Sequence, residues 1–263
     1  MQNQPQGLRS TAKTAHIVLT NTPRRYGLGP DPKLQALTQE RRPPVTAIVY
    51  GQLYDSIVGL AMPPGTKLSE ADVANKLGVS RQPVRDAFYR LSQQGFLLIR
   101  PQRATVVTKI STAAVLKARF IRTALELETT CTAMKRATPE DISKLEENLE
   151  GQKRAIESEK RDEFHELDDA FHAQLCAIAG HPEVWTLIKD NKAHMDRVRY
   201  LSLSKEGSQI AYDEHVAILK EIKSKNRQKV IDLMRSHLNR IANSIHTIRA
   251  AHIEFFEEED REN

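Results

Sequence analysis

Two short helical segments, each with a cap at both ends, follow one another almost without a linker and constrain the fold most strongly. The first, SEADVANKLG (69–78), begins with a serine that can cap a helix and ends at Gly78, a residue type that often terminates helices in the left-handed conformation. The second, SRQPVRDAFYRLSQQG (80–95), repeats this design and places Pro83 in the first turn, where a missing N–H costs nothing. Such a pair predicts a helix-turn-helix.

The flanking residues extend this unit at both ends. VTAIVYGQLYDSIVGL (45–60) has apolar residues at helical spacing, with Ile48, Leu53, Ile57 and Leu60 near one face. FLLIRPQRATVVTK (96–109) has two β-rich runs around a polar turn, which predicts a small hairpin. Three helices and a hairpin predict a winged helix-turn-helix domain over residues 45–110.

Positive charge is concentrated in the first 110 residues. Residues 1–44 contain seven lysines and arginines against two acids, residues 45–110 contain eight against four, and the remainder contains 24 against 28. This asymmetry indicates an N-terminal module that faces a polyanion, because cations neutralise phosphates and arginine or glutamine side chains can read base edges. We predict DNA contacts from Lys67, Arg81, Gln82, Arg85, Arg90, Arg100 and Arg103. The alternative is an ordinary solvated basic helix.

The remaining segments suggest a tail and a helical bundle. Residues 1–44 hold six prolines and predict a disordered basic tail, except that AHIVLT (15–20) could form a short strand. Helical patterns over 112–136, 139–158, 161–179, 182–203, 208–223 and 227–255 predict an antiparallel α-helical bundle over 111–255, followed by an acidic tail at 256–263. The expected fold is mainly α.

The composition favours a cytoplasmic protein that makes no membrane contact. No apolar run approaches the length of a membrane span, and the first residues lack the apolar core of a signal peptide. Cys131 and Cys176 form no CxxC pair, as expected for reduced thiols.

A metal site is suggested by LDDAFH (167–172). Asp168 and His172 are four residues apart, so a helix places them on one face. His215 and His237 are each eleven residues from Asn226, and an antiparallel hairpin that turns there would bring them level. The four side chains would then converge inside the bundle. The alternative is a solvated helix face with an isolated core histidine.

The N-terminal module resembles a known DNA-binding domain. PPGTKLSEADVANKLGVSRQPVRDAFYRLSQQGFLLIRPQRATVV closely resembles that of the GntR family of bacterial transcriptional regulators. The resemblance places Arg81, Gln82 and Arg85 on DNA-contacting positions and Arg103 on the wing. Ala104 stands where the family often has glycine, which restricts the turn and casts doubt on a minor-groove contact by the wing.

The C-terminal half resembles the FCD effector domain of the FadR-type GntR subfamily. The resemblance rests on RTALELE (122–128), LDDAFHAQLCAIAGHPEVW (167–185), DEHVAILKEI (213–222) and LMRSHL (233–238). It implies a divalent metal, zinc first and nickel or manganese as alternatives, bound by Asp168, His172, His215 and His237. One or two open positions would then accept water or a small carboxylate.

The resemblance also implies an arginine for the effector. Arg122 matches the ligand-binding arginine, and Arg119 lies close enough in sequence to share the task; the alternative is surface salt bridging with Glu126 or Glu128. Weaker pocket candidates are Arg197, Arg199 and Tyr200. The spare histidines His165 and His194 are expected to be exposed.

Together these features predict a ligand-responsive regulator rather than an enzyme. We expect a homodimeric repressor of a catabolic operon that binds palindromic operator DNA and responds to a small carboxylate. The alternatives are a metal-dependent enzyme fused to a DNA-binding domain, and a purely structural metal without an effector.

Overall fold

The computed structural model describes residues 43–100, 103–202 and 205–258. Most of the predicted tail, including AHIVLT, lies outside this range, as do Gln102 at the wing and the last five residues. The described elements, in chain order, are α1 (Val45–Val58), β1 (Lys67–Leu68), α2 (Glu70–Leu77), α3 (Arg81–Gln93), β2 (Leu97–Leu98), β3 (Thr105–Val107), α4 (Thr112–Arg136), α5 (Pro139–Glu157), α6 (Arg161–Ile178), α7 (Pro182–Ser202), α8 (Lys205–Lys223), α9 (Arg227–Ala251) and a 3-10 turn (Ile253–Phe255). The mainly α prediction is confirmed.

Caps mark where several helices begin and end. Ser69 and Gly78 act as predicted, whereas Ser80, predicted to cap α3, makes no side-chain cap hydrogen bond. The Ser69 hydroxyl accepts a hydrogen bond from the Asp72 N–H at the start of α2, and Gly78 ends that helix at φ 64°. Thr138 and Asp141 form a reciprocal capping box at the start of α5. These contacts satisfy N–H groups that the first turn of a helix cannot pair internally.

The winged domain contains a three-stranded sheet instead of the expected two-stranded hairpin. β3 lies between β1 and β2 and pairs antiparallel with both, with Lys67 opposite Val106 and Leu97 opposite Val107. The prediction missed β1 because two residues are too few to show an alternating pattern. Ala104 is not among the described non-glycine residues with positive φ, so the wing accommodates it without backbone strain there.

The core of the winged domain continues into the bundle. Val49, Leu53 and Ile57 on α1 are buried against α3, whereas Ile48, expected on this face, is exposed. Ala193 from α7 belongs to the same core. The ring of His194 stacks on Phe96 at 4.5 Å between ring centroids. Helix α7 is therefore packed against the winged domain.

The bundle is closed by residues near the end of the described chain. Phe256, predicted to begin the acidic tail, is buried and pairs with Ile110 in a parallel bridge. The Ile110 N–H donates to the Phe255 carbonyl at 2.8 Å, and the Glu257 N–H donates to the Ile110 carbonyl at 3.0 Å. The tail boundary at 256 was therefore wrong, because two aromatic residues before the acidic run pack into the bundle.

Within the described part of the chain, the helices are too short or too polar to cross a membrane.

Candidate metal and effector site

Three helices bring the four predicted metal ligands together. Asp168 and His172 lie on α6, His215 lies on α8 and His237 lies on α9. All four are buried, and one potential ligand atom from each lies within 4.8 Å of the others. The hairpin of α8 and α9 that turns at Asn226 thus places His215 beside His237, as its spacing predicted.

The three imidazoles face one another through Nε2. The Nε2 atom of His237 lies 3.3 Å from that of His215 and 3.2 Å from that of His172. A metal–nitrogen bond of about 2.1 Å separates two nitrogens by roughly 3.0 Å at a right angle and by roughly 3.4 Å at the tetrahedral angle. The observed separations fall in this interval, so the imidazoles fit a shared divalent ion.

A second set of side chains fixes the outward nitrogen of each imidazole. The Nδ1 atom of His172 lies 2.5 Å from a Glu126 oxygen. The Nδ1 atom of His215 lies 3.0 Å from the Gln152 amide oxygen, and that of His237 lies 2.7 Å from a Glu214 oxygen. All three partners are acceptors, which favours a proton on Nδ1 and a free lone pair on Nε2. The Nδ1 atom of His172 is close to Glu126 but lacks full hydrogen-bond geometry within the described residues. Nothing in the sequence marked Glu126, Gln152 or Glu214 for this role.

Asp168 provides a buried carboxylate at the centre. Its Oδ2 lies 2.9 Å from Arg199 and its Oδ1 lies 3.7 Å from the His215 Nε2. Within the described residues, neither oxygen has a partner with full hydrogen-bond geometry. A buried carboxylate oxygen that faces three nitrogen lone pairs calls for a cation, which this donor set could bind.

The electrostatics favour the protonation states that a metal requires. Burial opposes ionisation of Asp168, yet the charge of Arg199 and the nearby histidines hold its pKa well below the ordinary value. Burial and the neighbouring His237 hold the pKa of His215 well below the ordinary value. Burial, followed by the charge of His172, lowers the pKa of His237 in the same way. The site therefore combines the Asp168 carboxylate with the neutral imidazoles of His215 and His237.

A cavity of about 220 Å³ opens beside these ligands and is rich in arginine. Arg122, Arg199, Arg240 and His237 contribute to its lining. Arg122 is buried and pairs with Glu126, so the predicted salt bridge exists but does not lie on the surface. Burial works against ionisation of Glu126, yet Arg122 and His172 lower its pKa to about 2. The cavity is thus lined by guanidinium groups, each of which pairs with a carboxylate.

The other arginine candidates are distributed differently from the prediction. Arg119 does not line the cavity, because its guanidinium donates to Asn239 on α9 at 2.5 Å. Arg199 reaches the centre directly, whereas Arg197 is buried and donates to the Thr108 carbonyl at 2.6 Å. Arg240, which was not among the predicted site residues, pairs with Glu214 at 3.2 Å.

The two spare histidines are not exposed, contrary to the prediction. His165 is buried and lies against Tyr200, with 4.8 Å between ring centroids. His194 is half-buried, and its Nε2 lies 3.1 Å from the Gln94 carbonyl in the winged domain. Both occupy the region where α6 and α7 meet the winged domain, which an isolated helix pattern cannot reveal.

The predicted DNA-contacting side chains are exposed on the winged domain. They are Lys67, Arg81, Gln82, Arg85, Arg90, Arg100 and Arg103. Several already have intramolecular partners. Arg85 pairs with Glu70 at 3.1 Å, Gln82 donates to Asp86 at 2.9 Å, and the Arg90 guanidinium lies 3.9 Å from the centroid of the Tyr50 ring. Contacts by these groups to DNA would have to replace or share those interactions.

Comparison with known proteins gives two domain matches and a consistent set of relatives. Residues 46–107 match the family described as bacterial regulatory proteins of the gntR family, and residues 118–240 match the FCD domain. The HTH-type transcriptional repressor RspR of Escherichia coli K12 is 39% identical over 217 residues, which are 82% of this chain and 95% of that protein. A transcriptional regulator from Streptomyces ambofaciens is 32% identical over 209 residues, which are 79% of this chain and 88% of that one.

Among solved structures, E. coli McbR/YncC superposes with a TM-score of 0.67 at 21% identity and covers 80% of this chain and 100% of its own. This likeness supports the fold alone. The sequence relatives just named are transcriptional regulators, and they give no support to the alternative of an enzyme fused to a DNA-binding domain.

Proposed function

The chain belongs to the GntR family of bacterial transcriptional regulators and carries an FCD effector domain; we propose that it represses a catabolic operon until a small carboxylate binds beside a metal. It is a ligand-responsive DNA-binding regulator by family, and the direction of regulation, the metal and the chemical class of effector are the proposal. The name of the 39% identical relative RspR, a repressor, favours repression.

The arginine-rich cavity beside the histidine cluster carries this proposal. Three guanidinium groups and His237 line a space of about 220 Å³, and guanidinium groups bind carboxylates through paired hydrogen bonds. Arg199 and Arg240 have acidic partners with which an incoming carboxylate would compete. The volume suits a small organic acid rather than a long acyl chain.

We propose Asp168, His172, His215 and His237 as the metal ligands, with zinc the first candidate and nickel or manganese next. Three nitrogens and one oxygen suit these ions. A divalent ion held there would supply positive charge and open coordination positions for oxygen donors. Arg122, Arg199 and Arg240 would orient the carboxylate, and Arg119 would support α9 through Asn239 rather than touch the effector.

Helix α7 links this pocket to the DNA-reading domain. It carries Arg199, which contacts Asp168, and also His194 and Arg197, which contact Gln94 and Thr108. A carboxylate that engages Arg199 would favour one position of α7 over another. Because α7 packs against the winged domain, the effector would thereby bias the arrangement that binds DNA.

We propose that residues 45–110 read the operator and residues 111–255 form the effector and dimerisation domain. A homodimer would place two winged domains on a palindromic operator, because a single recognition helix covers one half-site. The DNA contacts would come from the exposed side chains of α3, the sheet and the wing. A protein that binds operator DNA would act in the bacterial cytoplasm.

Metal analysis combined with operator binding tests the proposal. Purified protein should contain one divalent ion per chain by inductively coupled plasma mass spectrometry. Fluorescence anisotropy should show binding to DNA from the promoter region of its own operon. A panel of small organic acids should include one that releases this DNA from the metal-loaded protein and fails to do so after chelation. Release that is unchanged by chelation would contradict a metal-dependent effector site.

A further inference from the structure

A cleft separate from the metal pocket lies between the winged domain and the bundle. Helices α1, α6 and α7 bound it, and its volume is about 610 Å³. It shares no lining residue with the arginine-rich cavity. Tyr54 from α1 and Tyr200 from α7 contribute aromatic rings to its wall. We call it the interdomain cleft.

The interdomain cleft carries an excess of negative charge. Its lining contains two lysines, Lys189 and Lys192, and five carboxylates: Asp55, Asp162, Glu166, Asp169 and Asp196. Lys192 is already engaged, because its Nζ lies 2.9 Å from Asp169 and 2.5 Å from Asp196. Asp55, Asp162 and Glu166 are exposed and make no ion pair within the described residues. The charge of the wall attracts a cation.

A buried nitrogen without a partner adds a polar group to the same wall. His165 lines the interdomain cleft and is 8% exposed, and its Nε2 makes no hydrogen bond in the part of the chain that the structure describes. Burial, followed by the charge of Arg199, lowers the pKa of His165 to about 3, so the ring is neutral at physiological pH and does not repel a cation. A neutral imidazole can accept an N–H from a ligand.

The arrangement of the carboxylates argues against a metal ion in this cleft. Throughout residues 43–100, 103–202 and 205–258, the cluster of three or more converging His, Cys, Asp or Glu ligands is the one around Asp168. The cleft carboxylates are instead distributed around a wide space with aromatic and aliphatic surface. Such a wall suits an extended cation that has several donor hydrogens and a carbon chain.

We propose that the interdomain cleft binds a small organic cation with one or two ammonium groups on a short carbon chain. The carboxylates and His165 would accept its N–H groups, and the tyrosine rings would contact its carbon chain. This site goes beyond the proposed carboxylate site and uses different residues. The two are connected through Arg199, which lies 2.9 Å from Asp168 and 3.9 Å from Asp196, so cation and carboxylate affinities are expected to be coupled.

Calorimetric titration of the full-length, metal-loaded protein with putrescine tests the proposal. Putrescine should bind saturably, whereas butanediol, which has the same chain length without charge, and succinate, with the opposite charge, should not. Absence of saturable putrescine binding in the millimolar range would overturn the proposal. So would equal binding of butanediol, or displacement of putrescine by Mg²⁺ at equal concentration.

Variants of the wall assign the binding to this cleft. Combining Asp162→Asn with Glu166→Gln removes two charges and should weaken putrescine roughly tenfold, since each exposed charge contributes about a factor of three at short range in water. His165→Phe keeps the ring against Tyr200 but removes the acceptor, and should weaken binding roughly fivefold.

Glu147→Gln on α5 is the matched control, because it neutralises an exposed acid outside the cleft. Metal content and circular dichroism should be unchanged in every variant, which separates this test from failure of the metal proposal. Wild-type putrescine affinity in both the double variant and His165→Phe, with folding intact, would overturn the assignment.

Discussion

Replacing Gln152 with leucine tests whether the groups behind the histidines control the metal. Gln152 is fully buried, and its amide oxygen accepts from the His215 Nδ1 at 3.0 Å. Leucine keeps much of the side-chain volume but has no acceptor, so the His215 N–H would lose its partner in a dry interior. The imidazole could then rotate or change tautomer. Losing such a partner lowers metal affinity about 10- to 100-fold, which corresponds to about 1.4–2.7 kcal/mol.

Two measurements separate the metal effect from a general loss of stability. Competition with a fluorescent zinc chelator gives the zinc affinity, and urea unfolding of the apo-protein gives the change in stability. The unmade hydrogen bond should cost about 1–3 kcal/mol in the apo-protein. With zinc in excess, the holo-protein should lose a further amount of stability that equals the lost free energy of zinc binding.

Asn148→Ala is the control for this variant. Asn148 accepts a hydrogen bond from the Gln152 side-chain NH₂ at 2.7 Å but does not touch the histidines. Its loss should therefore lower stability without a comparable change in zinc affinity. A Gln152→Leu protein that folds and binds zinc within twofold of wild type would refute the view that Gln152 orients His215.

Further predictions concern the metal, the pH response, the effector and DNA. His172→Ala and His215→Ala should each lose stoichiometric metal by elemental analysis but keep their helical circular dichroism; retained metal in both would reject the site. Because burial and neighbouring histidines hold the pKa of His215 and His237 well below its ordinary value, protons should compete with the metal at these two ligands only well below about pH 6.5. Metal occupancy should therefore persist from pH 7 to pH 6, and loss over that interval by equilibrium dialysis would contradict the expected sign. Arg240→Gln should weaken effector-induced DNA release about tenfold or more with metal retained, since a charged hydrogen bond contributes about 1.5–3 kcal/mol; an unchanged effector titration would exclude Arg240 from the site. Arg85→Ala should weaken operator binding at least about fivefold in a gel shift, because a bidentate base contact contributes about 1–3 kcal/mol; wild-type affinity would remove Arg85 from the interface.

The sequence predicted the features that are marked by neighbouring residues or by equal spacing from a turn. Helix boundaries followed caps and glycines, as at Ser69 and Gly78. The approach of His215 to His237 followed from equal distances to one turn at Asn226. Caps and glycines act within their own helix, so neighbouring residues are enough to predict them. The two histidines could be paired because helices joined by a short turn pack side by side.

Features that depend on contacts between distant helices could not be predicted. Glu126, Gln152 and Glu214 face the histidines from three different helices, and nothing in their sequence spacing marks them as a set. His165 and His194 lie in polar segments, which favoured exposure, but packing of α6 and α7 against other elements buries or half-buries them. Arg240 resembled any other cation on a helix until α9 placed it beside the cavity.

The bridge between Ile110 and Phe256 lets the end of the described chain hold the junction between the two domains. Ile110 is the residue at which the winged domain passes into the bundle, and its backbone is held by hydrogen bonds on both sides to residues 255–257. The joint between the two domains is therefore clamped by a segment almost 150 residues away in sequence. Residues 255–257 do not line the arginine-rich cavity and are not among the predicted DNA contacts, so substitutions there would change the joint while leaving both sets of residues in place. Engineers who convert such regulators into biosensors would find here a tuning point independent of what is sensed and which promoter responds.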